Sequence, residues 1–120
     1  MNYFYKKTNK YKNIRTEIDN IKFQSKKEKD RYIQLKQLQL AGEIKNIVLQ
    51  PRFVLQDSFE KKGIKYREIA YVADFKYFDI KNNCIIIEDV KSVYTKTPLY
   101  LVKKKLFEAK YSDLTITEII

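Results

Sequence analysis

The chain contains no histidine, no tryptophan and one cysteine, and these absences narrow its chemistry before any motif is considered. Without histidine there is no Ser-His-Asp or Cys-His nucleophilic triad, and the usual histidine-rich zinc sites are excluded. Cys84 alone can close no intrachain disulfide, and in the run Cys84-Ile-Ile-Ile87 it is expected to be a small buried thiol. Any hydrolytic chemistry must therefore run on carboxylates, lysine, hydroxyls and an oxygen-liganded metal, which points to Mg²⁺, with Mn²⁺ able to substitute. No apolar run approaches the roughly 18 residues of a membrane span, and no charged-then-apolar leader opens the sequence. A cytoplasmic protein without membrane partners is the expectation.

Arginine is also scarce. Arg15, Arg31, Arg52 and Arg67 are the only guanidinium groups among 25 basic residues, which stand against 15 acidic ones for a net charge of +10. So cationic a chain suits a polyanion such as DNA. Its lysines, mobile point charges, favour reading of backbone or shape over the forked hydrogen bonding that reads bases. A solvated lysine-rich surface is the alternative explanation. With 120 residues and 44% hydrophobic content the chain has enough for one core, not two. A single domain over residues 14–120 is expected, preceded by a basic arm over residues 1–13. Lys6, Lys7, Lys10, Lys12 and Arg15 lie in or beside that arm, interleaved with Tyr3, Phe4, Tyr5 and Tyr11. Such an arm either tracks a phosphate backbone or frays as a terminus.

The two glycines and two prolines punctuate the rest. Ile14–Ile18 and Ile21–Phe23 flank Asp19-Asn20, which predicts a β-hairpin. Ser25-Lys-Lys-Glu28 has the capping-box form, and Tyr32, Leu35 and Leu38 repeat at helical spacing before Gly42, predicting a helix over about 26–41. Three strands follow: Ile44–Phe59 broken at Pro51, Ile64–Phe78 after the Lys61-Lys62-Gly63 turn, and Cys84–Val93 after Lys81-Asn82-Asn83. Tight turns make them an antiparallel meander. Thr97-Pro98 opens a second helix over about 98–111, with Leu99, Val102 and Leu106 at helical spacing, and Leu114–Ile120 alternates as a last strand.

The chemistry-bearing signal sits on this meander. Asp74 lies in Tyr71-Val-Ala-Asp-Phe75, and the apolar run Ile85-Ile-Ile87 continues into Glu88-Asp-Val-Lys91 without a turn residue. Strand alternation puts Asp89 and Lys91 on one face and Glu88 on the other. A carboxylate from each of two adjacent strands can hold a divalent cation beside a phosphate. The lysine can then steady an attacking hydroxide or the charge building on phosphorus. The plain alternative is a solvated strand end with surface ion pairs, and for Glu28 it is the capping role alone. Gln50, before Pro51, is either a site residue or an ordinary bend. Lys103 and Lys104, with Lys105, form a cationic run on the second helix, either solvated or facing DNA.

The order of elements, αβββαβ behind a basic arm and hairpin, with these half-motifs in place, resembles the core of the PD-(D/E)xK (restriction-endonuclease-like) nuclease superfamily. That superfamily includes Holliday-junction resolvases and TnsA-type transposon endonucleases. Ile21-Lys-Phe-Gln-Ser-Lys-Lys-Glu28, Leu49-Gln-Pro51, Tyr71-Val-Ala-Asp-Phe75 and Glu88-Asp-Val-Lys91 look more closely like a small phage-encoded family of unsettled function within it. The resemblance covers about residues 14–119 and implies an α/β fold with a mixed central sheet flanked by helices. It makes Asp74 the acid of the first half-motif, with Ala73 where proline is usual, and Asp89 and Lys91 the second half. Glu28 becomes the first-helix carboxylate, and Gln50 an accessory residue of the site. Glu28, Asp74 and Asp89 would hold Mg²⁺. The implied activity is a metal-dependent endodeoxyribonuclease of phage or mobile-element origin, in host cytoplasm if phage-encoded. It would select branched DNA and act as a homodimer, since cutting two strands of a junction symmetrically needs two centres. A sequence-tolerant nicking or transposon-end nuclease, and a non-catalytic DNA-binding recombination accessory protein, are the rival readings.

Overall fold

A computed structural model describes residues 16–120. The arm residues Lys6, Lys7, Lys10, Lys12 and Arg15 lie outside the described residues, as does the start of the expected hairpin. The chain divides into two compact units, one ending at Gly42 and one comprising Glu43–Ile120.

In the first unit β1 (Thr16–Ile18) and β2 (Ile21–Phe23) pair antiparallel about Asp19 and Asn20, whose φ values of 53° and 63° give the doubly left-handed turn that suits strand twist. Helix α1 (Lys26–Leu40) starts at Ser25, whose Oγ accepts the Glu28 N–H at 3.1 Å. Glu28 Oε1 answers by accepting the Gln24 N–H at 2.9 Å, one residue before the usual capping-box donor. Tyr32 and Leu35 are buried as their spacing predicts, and the Tyr32 ring packs 5.2 Å from Phe23 while its hydroxyl donates to Asp19. The helix stops where Gly42, at φ 79°, takes a left-handed conformation and donates to the Gln39 carbonyl.

The second unit begins with a long antiparallel ribbon in three lengths. β3 (Ile44–Leu49) pairs with β8 (Phe75–Asp79), β4 (Arg52–Gln56) with β7 (Ile69–Val72), and β5 (Phe59–Lys61) with β6 (Ile64–Tyr66). The first two expected strands are therefore each broken, at Gln50-Pro51 and Ala73-Asp74 and again near 57–58 and 67–68. β8 then pairs antiparallel with β9 (Cys84–Val90), which ends earlier than its sequence suggests. Helix α2 (Pro98–Lys110) carries the chain over to β10 (Ile116–Ile119), parallel to β9, as a parallel neighbour requires a crossover. The result is a mixed α/β architecture whose central sheet has the order β10-β9-β8-β3.

The core of this unit gathers Tyr71, Ala73, Ile87, Tyr100, Phe107 and Ile116, with Phe53, Leu55, Tyr111 and Leu114 around them. On α2 the Leu99, Val102 and Leu106 repeat marks the helix but not its inner face, for all three are exposed while Tyr100 and Phe107 are buried. The aromatic stripe wins because each ring buries more surface than a leucine and the Tyr100 hydroxyl has an acceptor in Glu118 at 2.7 Å. Cys84 is exposed, contrary to expectation, because it opens β9 opposite Asp79, beside the turn rather than inside the sheet. Among the described residues no helix is long and apolar enough to cross a membrane.

Candidate active site

The site forms where the ribbon breaks. Pro51 has no N–H to give a ladder, and Gln50 before it adopts a left-handed φ of 49°. Backbone bonds nonetheless span the break: Gln50 N–H to the Asp74 carbonyl at 3.0 Å, Ala73 N–H to the Pro51 carbonyl at 3.1 Å, and Asp74 N–H to the Glu88 carbonyl at 3.0 Å. The kink is thus fixed from both sides. The β8–β9 register ends at Phe75 facing Glu88, and Asp74, at the bend just before β8, lies close enough to Asp89 for its charge to act on that carboxylate. Asp74 Oδ2 accepts the Val90 N–H at 2.7 Å, which ties its carboxylate to the next strand.

Asp89 and Lys91 share a face, as alternation predicts, and form an ion pair of 3.1 Å with side chains only 5% and 15% exposed. A solvated strand end is therefore excluded. The other oxygen of Asp89 accepts the Tyr71 hydroxyl. Lys91 Nζ lies 4.0 Å from the centre of the Tyr100 ring, a cation–π contact that holds the ammonium between a carboxylate and an aromatic face. The Tyr100 hydroxyl donates to Glu118, which also pairs with Lys96 at 2.7 Å and Lys104 at 3.3 Å. Glu88 takes the opposite face, buried, with the Tyr77 hydroxyl donating to it.

Burial pushes the Asp89 carboxyl up to about 6; the Tyr71 hydrogen bond opposes the rise, the Asp74 charge adds to it, and Lys91 opposes it. The Tyr71 phenol is driven well above its ordinary range, first by burial and then by Asp89. Tyr100 is raised in the same way by burial and Glu118. Glu118 goes the other way, down to about 2, through its hydrogen bonds from Lys96 and Tyr100. A buried carboxylate with a second one near it is costly for a fold. Such arrangements concentrate where a charge has chemistry to perform.

Of the expected site residues, Asp74, Asp89 and Lys91 come together. Gln50 is exposed and contributes its backbone to Asp74. Glu28 belongs to the first unit, where its carboxylate accepts the Gln24 N–H. Lys103 and Lys104 are half-buried, and Lys104 is engaged by Glu118. The sequence reading passed over Tyr71, Tyr77, Tyr100 and Glu118. Their signal was tyrosine within apolar segments, since a buried hydroxyl needs an acceptor and the carboxylates of β9 and β10 supply three.

Among the described residues no group of three or more histidine, cysteine, aspartate or glutamate side chains is arranged to hold a metal. Asp74 and Asp89 form a pair. That donor set fits Mg²⁺ in kind, since the ion takes oxygen ligands, often one or two carboxylates with water and substrate phosphate completing the shell.

The chain belongs to the family described as "Protein of unknown function (DUF1064)", whose profile matches residues 8–120. No curated protein and no solved structure matches the chain.

Proposed function

We propose that this protein is a metal-dependent endodeoxyribonuclease of the PD-(D/E)xK type, and that Asp74, Asp89 and Lys91 are its catalytic residues. The observation carrying this reading is the approach of Asp74, tied by its carboxylate to the Val90 N–H, to the buried Asp89, with Lys91 paired to Asp89. These two carboxylates would hold Mg²⁺, which when bound would polarise the scissile phosphate and acidify a water. Asp89 is ionised above about pH 6, so the centre is anionic at neutral pH. Tyr71 fixes the rotamer of Asp89 through its hydroxyl, and the Tyr100 ring with the Asp89 carboxylate fixes the ammonium of Lys91. From there Lys91 orients the attacking oxygen and offsets the charge gathering on the phosphoryl oxygens. In-line attack forms the new P–O bond as the bond to the 3′ oxygen breaks, leaving 5′-phosphate and 3′-hydroxyl ends. Glu28, as a further carboxylate of the reaction, enters through the resemblance alone. Branched DNA is the preferred substrate and a homodimer the working form.

A non-catalytic DNA-binding module is the second reading, favoured by the engagement of both Asp89 oxygens by Tyr71 and Lys91. Against it, two carboxylates beside a phosphate repel it and give a binding module no benefit. The test is incubation of the purified protein with four-way junction, flap, nicked and linear duplex DNA, in Mg²⁺ or EDTA. Products in Mg²⁺ only, formed fastest from branched substrates, are expected. Binding without product in either Mg²⁺ or Mn²⁺ overturns the nuclease reading.

A further inference from the structure

The ribbon that starts at the site runs outward to β5 and β6, which form a two-stranded sheet of their own with all six residues exposed. An isolated hairpin is marginal in water. Here the rings of Phe59 and Tyr66 stack across the strands, 4.7 Å apart and 13° from parallel. Cross-strand packing explains that these rings meet, but not that each stays 44% exposed with Ile64, 55% exposed, on the same face. One side of the ribbon thus presents Phe59, Ile64 and Tyr66 with Lys61 opposite Ile64, and the other presents Glu60 and Lys65.

The charge around the strip is one-sided. Lys61, Lys62, Lys65 and Arg67 are exposed and enter no ion pair among the described residues, while Glu60 is the one acid from 59 to 67. At the tip, Lys62 occupies a left-handed position, φ 53°, where asparagine or glycine fits with less strain. A cation is held there at a backbone cost. A partner that takes apolar contact from a narrow strip and answers four cations on and around it is a polyanion with a groove. A two-stranded ribbon matches the width of the major groove of duplex DNA.

We propose that the β5–β6 ribbon is a DNA-binding arm, its lysines and Arg67 on phosphates and its Phe59, Ile64 and Tyr66 strip against the groove. The proposal deepens the nuclease reading, on which the choice of DNA among polyanions rests. Gly63 lies eleven residues before Asp74, so the tip is no more than about 40 Å from the site, on the order of one turn of B-form duplex. A duplex held at the carboxylates is within reach of the arm.

The test is affinity for linear duplex DNA in EDTA across a salt series. It compares the wild-type chain, the triple variant Lys61→Gln/Lys62→Gln/Lys65→Gln, which keeps the ring stack, and the double variant Phe59→Ala/Tyr66→Ala. The triple variant should melt with the wild type, lose at least tenfold in affinity at moderate salt, and lower the slope of log K against log salt by about 2–3, at about 0.9 per phosphate released. The double variant should weaken binding with the slope unchanged. Wild-type affinity and slope in both variants overturn the arm, as does a loss of self-association with DNA affinity intact, which would assign the strip to a second copy of the chain. Cleavage by the wild type in Mg²⁺ is scored separately. Cleavage with unaltered ribbon-variant binding rejects the arm alone, and weakened variant binding without wild-type cleavage rejects the nuclease alone.

Discussion

Asp89 carries a charge where the fold would favour a neutral group, and that conflict is measurable. Its pKa lies at about 6 instead of the ordinary 3.8, so between about pH 4 and 6 the native state keeps a proton that the unfolded chain has released. Stability must then fall as pH rises through this window, by on the order of 3 kcal/mol when complete. Denaturant midpoints in EDTA at pH 4 and pH 7 should show the wild type losing that amount relative to Asp89→Asn; parallel behaviour of the two proteins contradicts the burial argument. Tyr71→Phe removes a donor that lowers the Asp89 pKa and strands a buried oxygen. It should cost about 1–3 kcal/mol in melting experiments at neutral pH. The acid limb of the cleavage profile should move to higher pH. At this scale the alternation of a strand made the Asp89–Lys91 pairing legible, since side-chain period two is a property of any strand. The tyrosine hydroxyls were not legible, because which carboxylate a phenol reaches depends on strand register and helix packing.

Among the elements, α1 separates two uses of one residue. Glu28 accepts the Gln24 N–H while Ser25 caps the Glu28 N–H, so glutamine at 28 keeps an acceptor and alanine at 25 removes one. Ser25→Ala should lower stability by about 1 kcal/mol. Glu28→Gln should melt close to the wild type yet cleave poorly in Mg²⁺, and wild-type cleavage by a well-folded Glu28→Gln would confine Glu28 to its capping role. Helix limits, the Asp19-Asn20 hairpin and the Pro51 break were legible because capping residues, turn dipeptides and proline act locally. The inner face of α2 was not. Its aliphatic repeat and its aromatic repeat have the same period, and only the presence of Glu118 on β10 and Phe53 on β4 favours the aromatic one.

For the molecule as a whole, the net charge of +10 is the feature that reaches furthest beyond the site. If lysines contact phosphate, deleting residues 1–13, which removes Lys6, Lys7, Lys10 and Lys12, should lower the salt slope of DNA binding by up to about 4. Cleavage at low salt should survive, because Asp74, Asp89 and Lys91 belong to the unit formed by Glu43–Ile120. An unchanged slope would make the arm a passive tail. The antiparallel meander was legible from its tight turns and the mixed sheet only through the resemblance, whereas the division of the chain at Gly42 left no mark in composition. Most direct is single-turnover cleavage of a four-way junction in Mg²⁺ by saturating Asp74→Asn and Asp89→Asn, with junction binding in EDTA measured alongside. The account predicts that both variants fold and bind DNA as tightly as the wild type or more tightly, a carboxylate's repulsion of phosphate being gone, while cleavage is abolished. Cleavage at the wild-type rate by either variant would contradict the assignment of Asp74 and Asp89 as the catalytic pair.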